Sequence, residues 1–247
     1  MNYTIIALVF VVLIMIYIGY SYATNTALIK SAVYLPSTGT NSQQTISWDK
    51  LTNPGSSSYH YSGWLYLKEN TSNQAGEIPL IFHRGDVVAS PNQFILGLEG
   101  QKLSIHTSRP ITDGKIVGGV TGGSNPVAEI ITDFPLQKWV YFSINVINGS
   151  LLECYINGKL VKSVQPPAAL INLTPDIRAP LIIGGTNSAK AYITKFKREA
   201  FSLNADEVRN SYLEGNGVGA YTNWTGGYNA SFSLYNAAGE IRKIAIL

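Results

Sequence analysis

The chain's 247 residues include one cysteine, Cys154, and three histidines, His60, His83 and His106. This excludes an internal disulfide framework and a cysteine-rich zinc site, and it leaves little for a histidine-based metal centre. Charge is scarce too. Lys, Arg, Asp and Glu make up 13% of the residues, against roughly 25% in a typical soluble domain. The net charge is only +3, from 18 basic and 15 acidic side chains, and the charges are scattered. A nucleic-acid binder carries a basic patch or stripe, so no nucleic-acid partner is expected. Helical periodicity is missing from the globular part until residue 204, and no internal repeat is visible. What the chain does have is 23 Gly, 11 Pro and 15 Tyr, the flavour of an all-β protein. The length suits one large β domain with an appendage.

The appendage is the N-terminus. No charged side chain lies between Asn2 and Ile29, and the run Ile5, Ile6, Leu8, Val9, Phe10, Val11, Val12, Leu13, Ile14, Ile16, Ile18 is almost purely apolar. Thr4 to Tyr22 supplies 19 residues, close to the ~20 that a helix needs to cross a bilayer core of about 30 Å. Tyr3 precedes the run and Tyr17, Tyr20 and Tyr22 close it, the places of interfacial aromatics. A single transmembrane helix is therefore expected over residues 1–29 with its flank. The competing reading is a cleaved signal peptide ending near Ser21-Tyr22-Ala23, but no Lys or Arg precedes the apolar run. Lys30 is the first basic residue and leans the large domain toward the cytoplasm. Against it stand six Asn-x-Ser/Thr sequons, at Asn2, Asn70, Asn148, Asn172, Asn223 and Asn229. They are candidate glycosylation sites in a lumenal domain and plain turn asparagines otherwise.

Residues 30–58 read as a polar connector, with a short strand near Thr45–Trp48. From Tyr59 onward, strand signals follow in series: 59–67, 78–83, 93–98 and 103–106. Residues 107–127 read as a long glycine-rich loop, a feature that is often functional. Residues 139–164 carry Asn148-Gly149 and Asn157-Gly158 between apolar runs. Asn-Gly supplies the positive φ that a tight hairpin needs at both turn positions, so a three-strand meander is expected. Strands follow at 181–183 and 191–196. Asn204 with Glu207 makes a capping-box pair for one short helix over 205–214, with Gly215 at its end. The last residues return to strands at 231–235 and 241–247, joined by a turn at 236–239.

In order, the chain presents Gly63-Trp64-Leu65-Tyr66-Leu67, Ile81-Phe82-His83-Arg84-Gly85 and Lys138-Trp139-Val140-Tyr141-Phe142. Glu153-Cys154-Tyr155-Ile156-Asn157-Gly158-Lys159, Leu181-Ile182-Ile183-Gly184-Gly185 and Leu203-Asn204-Ala205-Asp206-Glu207-Val208 follow. This succession resembles the concanavalin A-like, laminin-G-type jelly-roll domain over about residues 59–215, with 216–247 as a β extension. The resemblance implies an all-β, antiparallel two-sheet sandwich with one short helix. Together with the anchor it is similar to virion membrane or minor capsid proteins of large icosahedral DNA viruses.

The candidate chemistry is sparse. A glycosidase needs two carboxylates at a set separation, and no Glu-x-Asp-x-x-Glu cluster occurs; no Gly-x-Ser-x-Gly occurs either. No catalysis and no cofactor are expected. Asp113, Asp133 and Asp176, with Asn125, are weak calcium candidates that read equally well as turn residues. Trp64 and Trp139 fall in strands and read as packing, whereas Trp48 lies outside the matched core. Trp224 and Tyr228, in Asn223-Trp224-Thr225-Gly226-Gly227-Tyr228-Asn229, are the candidate ligand or interface aromatics. Arg84-Gly85-Asp86 spells an integrin-type tripeptide at a strand end, and Cys154 reads as a small buried hydrophobe. The expected function is a non-catalytic structural protein, a membrane-anchored minor capsid component joining an internal membrane to a capsid shell. Its partners would then be the bilayer and capsid proteins. The alternative is a membrane-anchored lectin or adhesin whose partner is a glycan.

Overall fold

The structure, a computed structural model, describes residues 8–17, 26–36, 43–70, 77–85, 94–107, 109–117, 126–166, 176–216, 230–236 and 239–246. The described part of the N-terminus is a helix, α1, over residues 8–17. Leu8, Val9, Phe10, Val11, Val12, Leu13, Ile14 and Ile16 are all exposed on it. At 1.5 Å per residue it is about 15 Å long, half a bilayer core. Among the described residues no helix is long and apolar enough to cross a membrane. Ile5, Ile6 and Ile18 of the expected span lie outside the described residues.

The strands are β1 (Val33–Tyr34), β2 (Gln44–Ile46), β3 (Tyr59–Leu67), β4 (Ile78–Arg84), β5 (Phe94–Glu99), β6 (Lys102–His106), β7 (Ile111–Thr112) and β8 (Lys115–Ile116). They continue as β9 (Ala128–Ile131), β10 (Trp139–Ile147), β11 (Leu151–Ile156), β12 (Lys159–Val164), β13 (Leu181–Ile183) and β14 (Ala191–Glu199). Helix α2 (Ala205–Leu213) follows, then β15 (Ala230–Asn236) and β16 (Gly239–Ile246). The strands pair antiparallel in two sheets, ordered β1-β14-β3-β10-β11-β12 and β2-β13-β4-β5-β6-β9, with β7 and β8 joined to the second through β4. β15 and β16 form a hairpin of their own.

Strand alternation builds the core between the sheets. On β3, Tyr59, Tyr61, Leu65 and Leu67 are fully buried and meet Phe82, Phe94, Leu96, Leu103, Phe142 and Phe196 in one cluster. The expected meander is present as β10-β11-β12. Both its turns hold the expected backbone, with positive φ at Asn148, Gly149, Asn157 and Gly158.

The other face of the first sheet is covered as well. Trp64, Tyr141 and Tyr155 form a second cluster with Val208 of α2, and Tyr212 stacks on Trp64 at 5.6 Å. The α2 cap is the expected one. The Glu207 N–H donates to Asn204 Oδ1 at 2.9 Å, and the Asn204 N–H donates back to Glu207 Oε2 at 2.7 Å. The approach to the helix is pinned by buried Asn145, whose Nδ2 donates to the Leu203 carbonyl at 2.7 Å.

Two stretches hold more structure than their composition suggests. Within the polar connector 30–58, the described residues 30–36 and 43–58 include two strands that pair with the sandwich. β1 pairs with β14, β2 pairs with β13, and Leu35 and Leu51 are buried in the main core, as is Ile29 just ahead of them. Polar composition hid this because edge strands bury only alternate residues. The stretch 107–127 also holds the β7–β8 hairpin, which pairs with β4 through Ile78↔Ile116 and Pro79↔Lys115. Ile111 and Ile116 then pack on Ile78, Leu80 and Ile95, on the outer face of the second sheet.

The end of the sandwich beside Pro54 is held by two buried arginines. Arg84 Nη2 donates to the carbonyls of Pro54 at 2.7 Å and Asp176 at 3.3 Å, and its Nε donates to Ala179 at 3.4 Å. Arg198 Nη1 donates to the carbonyls of Thr52 and Asn53, and its guanidinium lies 5.3 Å from the Tyr59 ring. Arg84 is 0% exposed, so the Arg84-Gly85-Asp86 tripeptide does not offer its arginine to a partner; Asp86 lies outside the described residues.

Candidate functional site

Three segments far apart in sequence meet on the outer face of the second sheet. β4 contributes Leu80 and His83, the β7–β8 hairpin contributes Ile111, Asp113 and Gly114, and the connection after β13 contributes Gly184, Gly185 and Thr186. Gln43, just ahead of β2, completes the rim of a cleft of about 120 Å³. Backbone hydrogen bonds fix this geometry. The Leu80 N–H donates to the Gly114 carbonyl at 2.9 Å and the Asn187 N–H to the Asp113 carbonyl at 2.8 Å. The Gly184 N–H donates to Ile81 at 3.0 Å.

Glycine makes the crossing possible. A Cβ on Gly185 would lie 2.7 Å from the Gly114 Cα, and one on Gly114 would lie 2.9 Å from the Gly185 Cα. Both glycines also hold positive φ, which β-carbons disfavour. The hairpin tip therefore lies directly on the loop after β13, and this contact sets Asp113 at the cleft mouth. Gly185→Ala is expected to cost about 1–3 kcal/mol by overpacking, and to displace the hairpin tip. Urea denaturation with a heteronuclear NMR spectrum of the 110–117 amides checks both; unchanged amides would count against the contact.

The floor of the cleft is His83, 2% exposed, with Nδ1 lacking any hydrogen-bond partner. Desolvation pushes the imidazole down to about 4, a backbone hydrogen bond at Gly85 opposing it. The ring is thus neutral near pH 7. Around it stand exposed Gln43, Asp113 and Thr186 and the apolar Leu80 and Ile111. In register across the sheet, His83 faces Ile95 and Ile95 faces His106. His106 is likewise buried and pushed down to about 4, by desolvation first and then by the charges of Arg109 and Lys102. Its Nε2 lies 2.8 Å from Ser104 Oγ.

A second cavity, between Trp64, Tyr141 and Lys195, is about 10 Å³, room for about one water and for no ligand. Lys195 beside it donates to the Gly215 carbonyl at 2.8 Å and so closes the end of α2.

Of the candidate site residues that are described, Asp113 alone lines the cleft. It sits in the β7–β8 turn with φ 49°. Asp133 is exposed after β9, and Asp176 is exposed before β13. Among the described residues, no group of three or more His, Cys, Asp or Glu could hold a metal ion. Trp224, Tyr228, Asn125, Asn2, Asn172, Asn223 and Asn229 lie outside the described residues. Asn70 and Asn148 are exposed, Asn148 as a turn residue whose N–H donates to Ser58 Oγ at 3.0 Å. Trp48 is 41% exposed in a 3-10 turn (Trp48–Lys50). Cys154 is buried in β11 and burial pushes its thiol up to about 12, which suits an inert core residue. His83 lies near the end of β4 with no second histidine at a metal-ligand spacing, so the sequence does not mark it. The Gly184-Gly185 pair after a strand was the available signal for this site, because paired glycines mark a close backbone approach.

No protein-family model matches the chain, and no curated protein matches it. Solved structures share its fold. The receptor binding domain of botulinum neurotoxin D superposes with a TM-score of 0.53 at 14% identity, covering 76% of this chain and 45% of that one. An HCR/D mutant gives 0.51 at 14% identity, covering 74% of this chain and 41% of that one. The chain thus spans less than half the length of either.

Proposed function

We propose that this protein is a non-catalytic recognition module, tethered to a bilayer by its N-terminal segment, that binds a glycan in the cleft on its second sheet. The observation that carries the reading is the buried, unpartnered Nδ1 of His83 at the cleft floor. A buried polar atom without a partner is costly, and a ligand hydroxyl would satisfy it. The rest of the lining has the same chemistry. Asp113, Gln43 and Thr186 offer acceptors and donors for hydroxyls, and Leu80 and Ile111 offer an apolar surface for the C–H face of a ring. At about 120 Å³ the cleft is smaller than the ~150 Å³ that encloses a benzene, so it seats one face or edge of a single ring and leaves the rest outside. The sandwich is a fold that also serves receptor binding in the neurotoxin D domain, and exposed, apolar α1 suits a tether in lipid.

A minor capsid role, joining an internal membrane to a shell, is the second reading. It is favoured by β12, an edge strand of the first sheet that exposes Leu160 and Val161 and could be covered by a neighbour in an assembly.

A glycan array probed with the full chain in detergent separates the two. Binding to a defined set of glycans, lost in His83→Leu, is the expected result. A blank array, with stoichiometric retention of the chain in purified capsids, would replace the glycan reading with the structural one.

A further inference from the structure

The cleft has a charge as well as a shape. Among the nine described residues that line it, Asp113 alone has an acidic side chain, and none is Lys or Arg. The nearest lysine on the hairpin, Lys115, is taken up by Glu77 at 2.7 Å. The floor is a neutral imidazole, and the remaining polar groups are an amide, a hydroxyl and the backbone of three glycines. A ring seated partly in about 120 Å³ keeps its outer substituents near Asp113, an exposed residue of the lining. At separations of about 5 Å near a protein surface, one unit charge shifts binding by ten-fold or more.

We infer that the cleft sorts sugars by charge: it takes a single ring bearing an amine or no charge and turns away rings that bear a carboxylate. This rests on the glycan reading of the same site. Asp113 is the specificity-determining residue. His83 and the glycine backbone recognise hydroxyls common to all such rings, while Asp113 attracts an ammonium and repels a carboxylate.

The test uses one ring in three charge states, glucosamine, glucose and glucuronic acid. Each is titrated into the full chain in detergent at low ionic strength and pH 7, with ligand-observed NMR as the readout. Glucosamine is expected to bind about ten-fold or more tightly than glucuronate, with glucose between them. In Asp113→Asn the ratio should fall close to one. Asn accepts positive φ readily, so the turn is preserved. The ratio should also shrink in high salt, because an exposed charge is screened. Equal binding of the three rings, or a ratio that survives Asp113→Asn, overturns the charge inference and leaves the glycan reading standing. Failure of all three rings to bind overturns both.

Discussion

Lowering the pH from 7 to 4 is expected to remove about 3 kcal/mol of stability for each of His83 and His106. Both imidazoles are held near 4 in the folded chain by burial, against 6.5 for a free side chain. Each pKa unit corresponds to about 1.4 kcal/mol. The unfolded chain therefore binds more protons than the folded one throughout this window, so stability is fully present above pH 6.5 and is lost as pH falls through 4. His60, pushed down mainly by desolvation and held up in part by Glu199, adds to the same slope. The two larger effects sum to about 6 kcal/mol, comparable with the 5–15 kcal/mol that holds a typical domain together. Cooperative acid unfolding between pH 4 and 5 is the expected outcome, visible as a falling urea midpoint. His106→Gln should flatten part of the slope. A midpoint that holds steady from pH 6.5 to 4 would show that these histidines protonate without cost.

Replacing Arg84 by Met is expected to cost about 3 kcal/mol, the lower end of what breaking a buried charged interaction costs. The guanidinium bridges the Pro54 carbonyl to those of Asp176 and Ala179, so its loss removes a donor from all three, although the Asp176 carbonyl keeps the Ala179 N–H at 3.0 Å and the Pro54 carbonyl keeps Arg198 Nη2 at 3.5 Å. The cost is moderated by Arg198. Burial first, and the positive charge of Arg84 among other influences, hold Arg198 below its ordinary value. Removing Arg84 relieves that repulsion. A double-mutant cycle with Arg198→Met should therefore show less than additive loss. Limited proteolysis should find a new cut in 52–56, because both arginines clamp that segment. A single-variant loss under 1 kcal/mol with no new cut would reduce the clamp to a passive contact.

Local chemistry was legible from the residues alone. The Asn-Gly turns, the Asn204–Glu207 capping box and the alternation of β3 were readable because each depends on neighbours within a few positions. The β7–β8 hairpin was not readable. Two-residue strands fall below any periodicity, and 107–127 is so rich in glycine that it resembles a loop. The strand β1 was lost in polar composition for a similar reason, whereas β2 overlaps the short strand expected near Thr45–Trp48. The buried state of His60, Ser62 and Trp64 on the outward parity of β3 could not be read from alternation, which predicts a solvent face. Only the docking of α2 and the 200–203 segment covers it.

The sequence by itself determined an all-β chain, an apolar N-terminus, the turn positions and the absence of a carboxylate cluster for glycoside hydrolysis, because these are properties of composition and short-range order. Tertiary structure decided the rest. Gln43, His83, Asp113 and Gly184–Thr186 are separated by tens of residues, and their meeting depends on which strands pair and on two glycines letting backbones touch. It also decided that Arg84, a charged residue at a strand end, is fully buried, while Asp113, one aspartate among several, is exposed in the lining of a cleft. A side chain's chemistry is written in its residue, but its partners are set by the packing of distant segments.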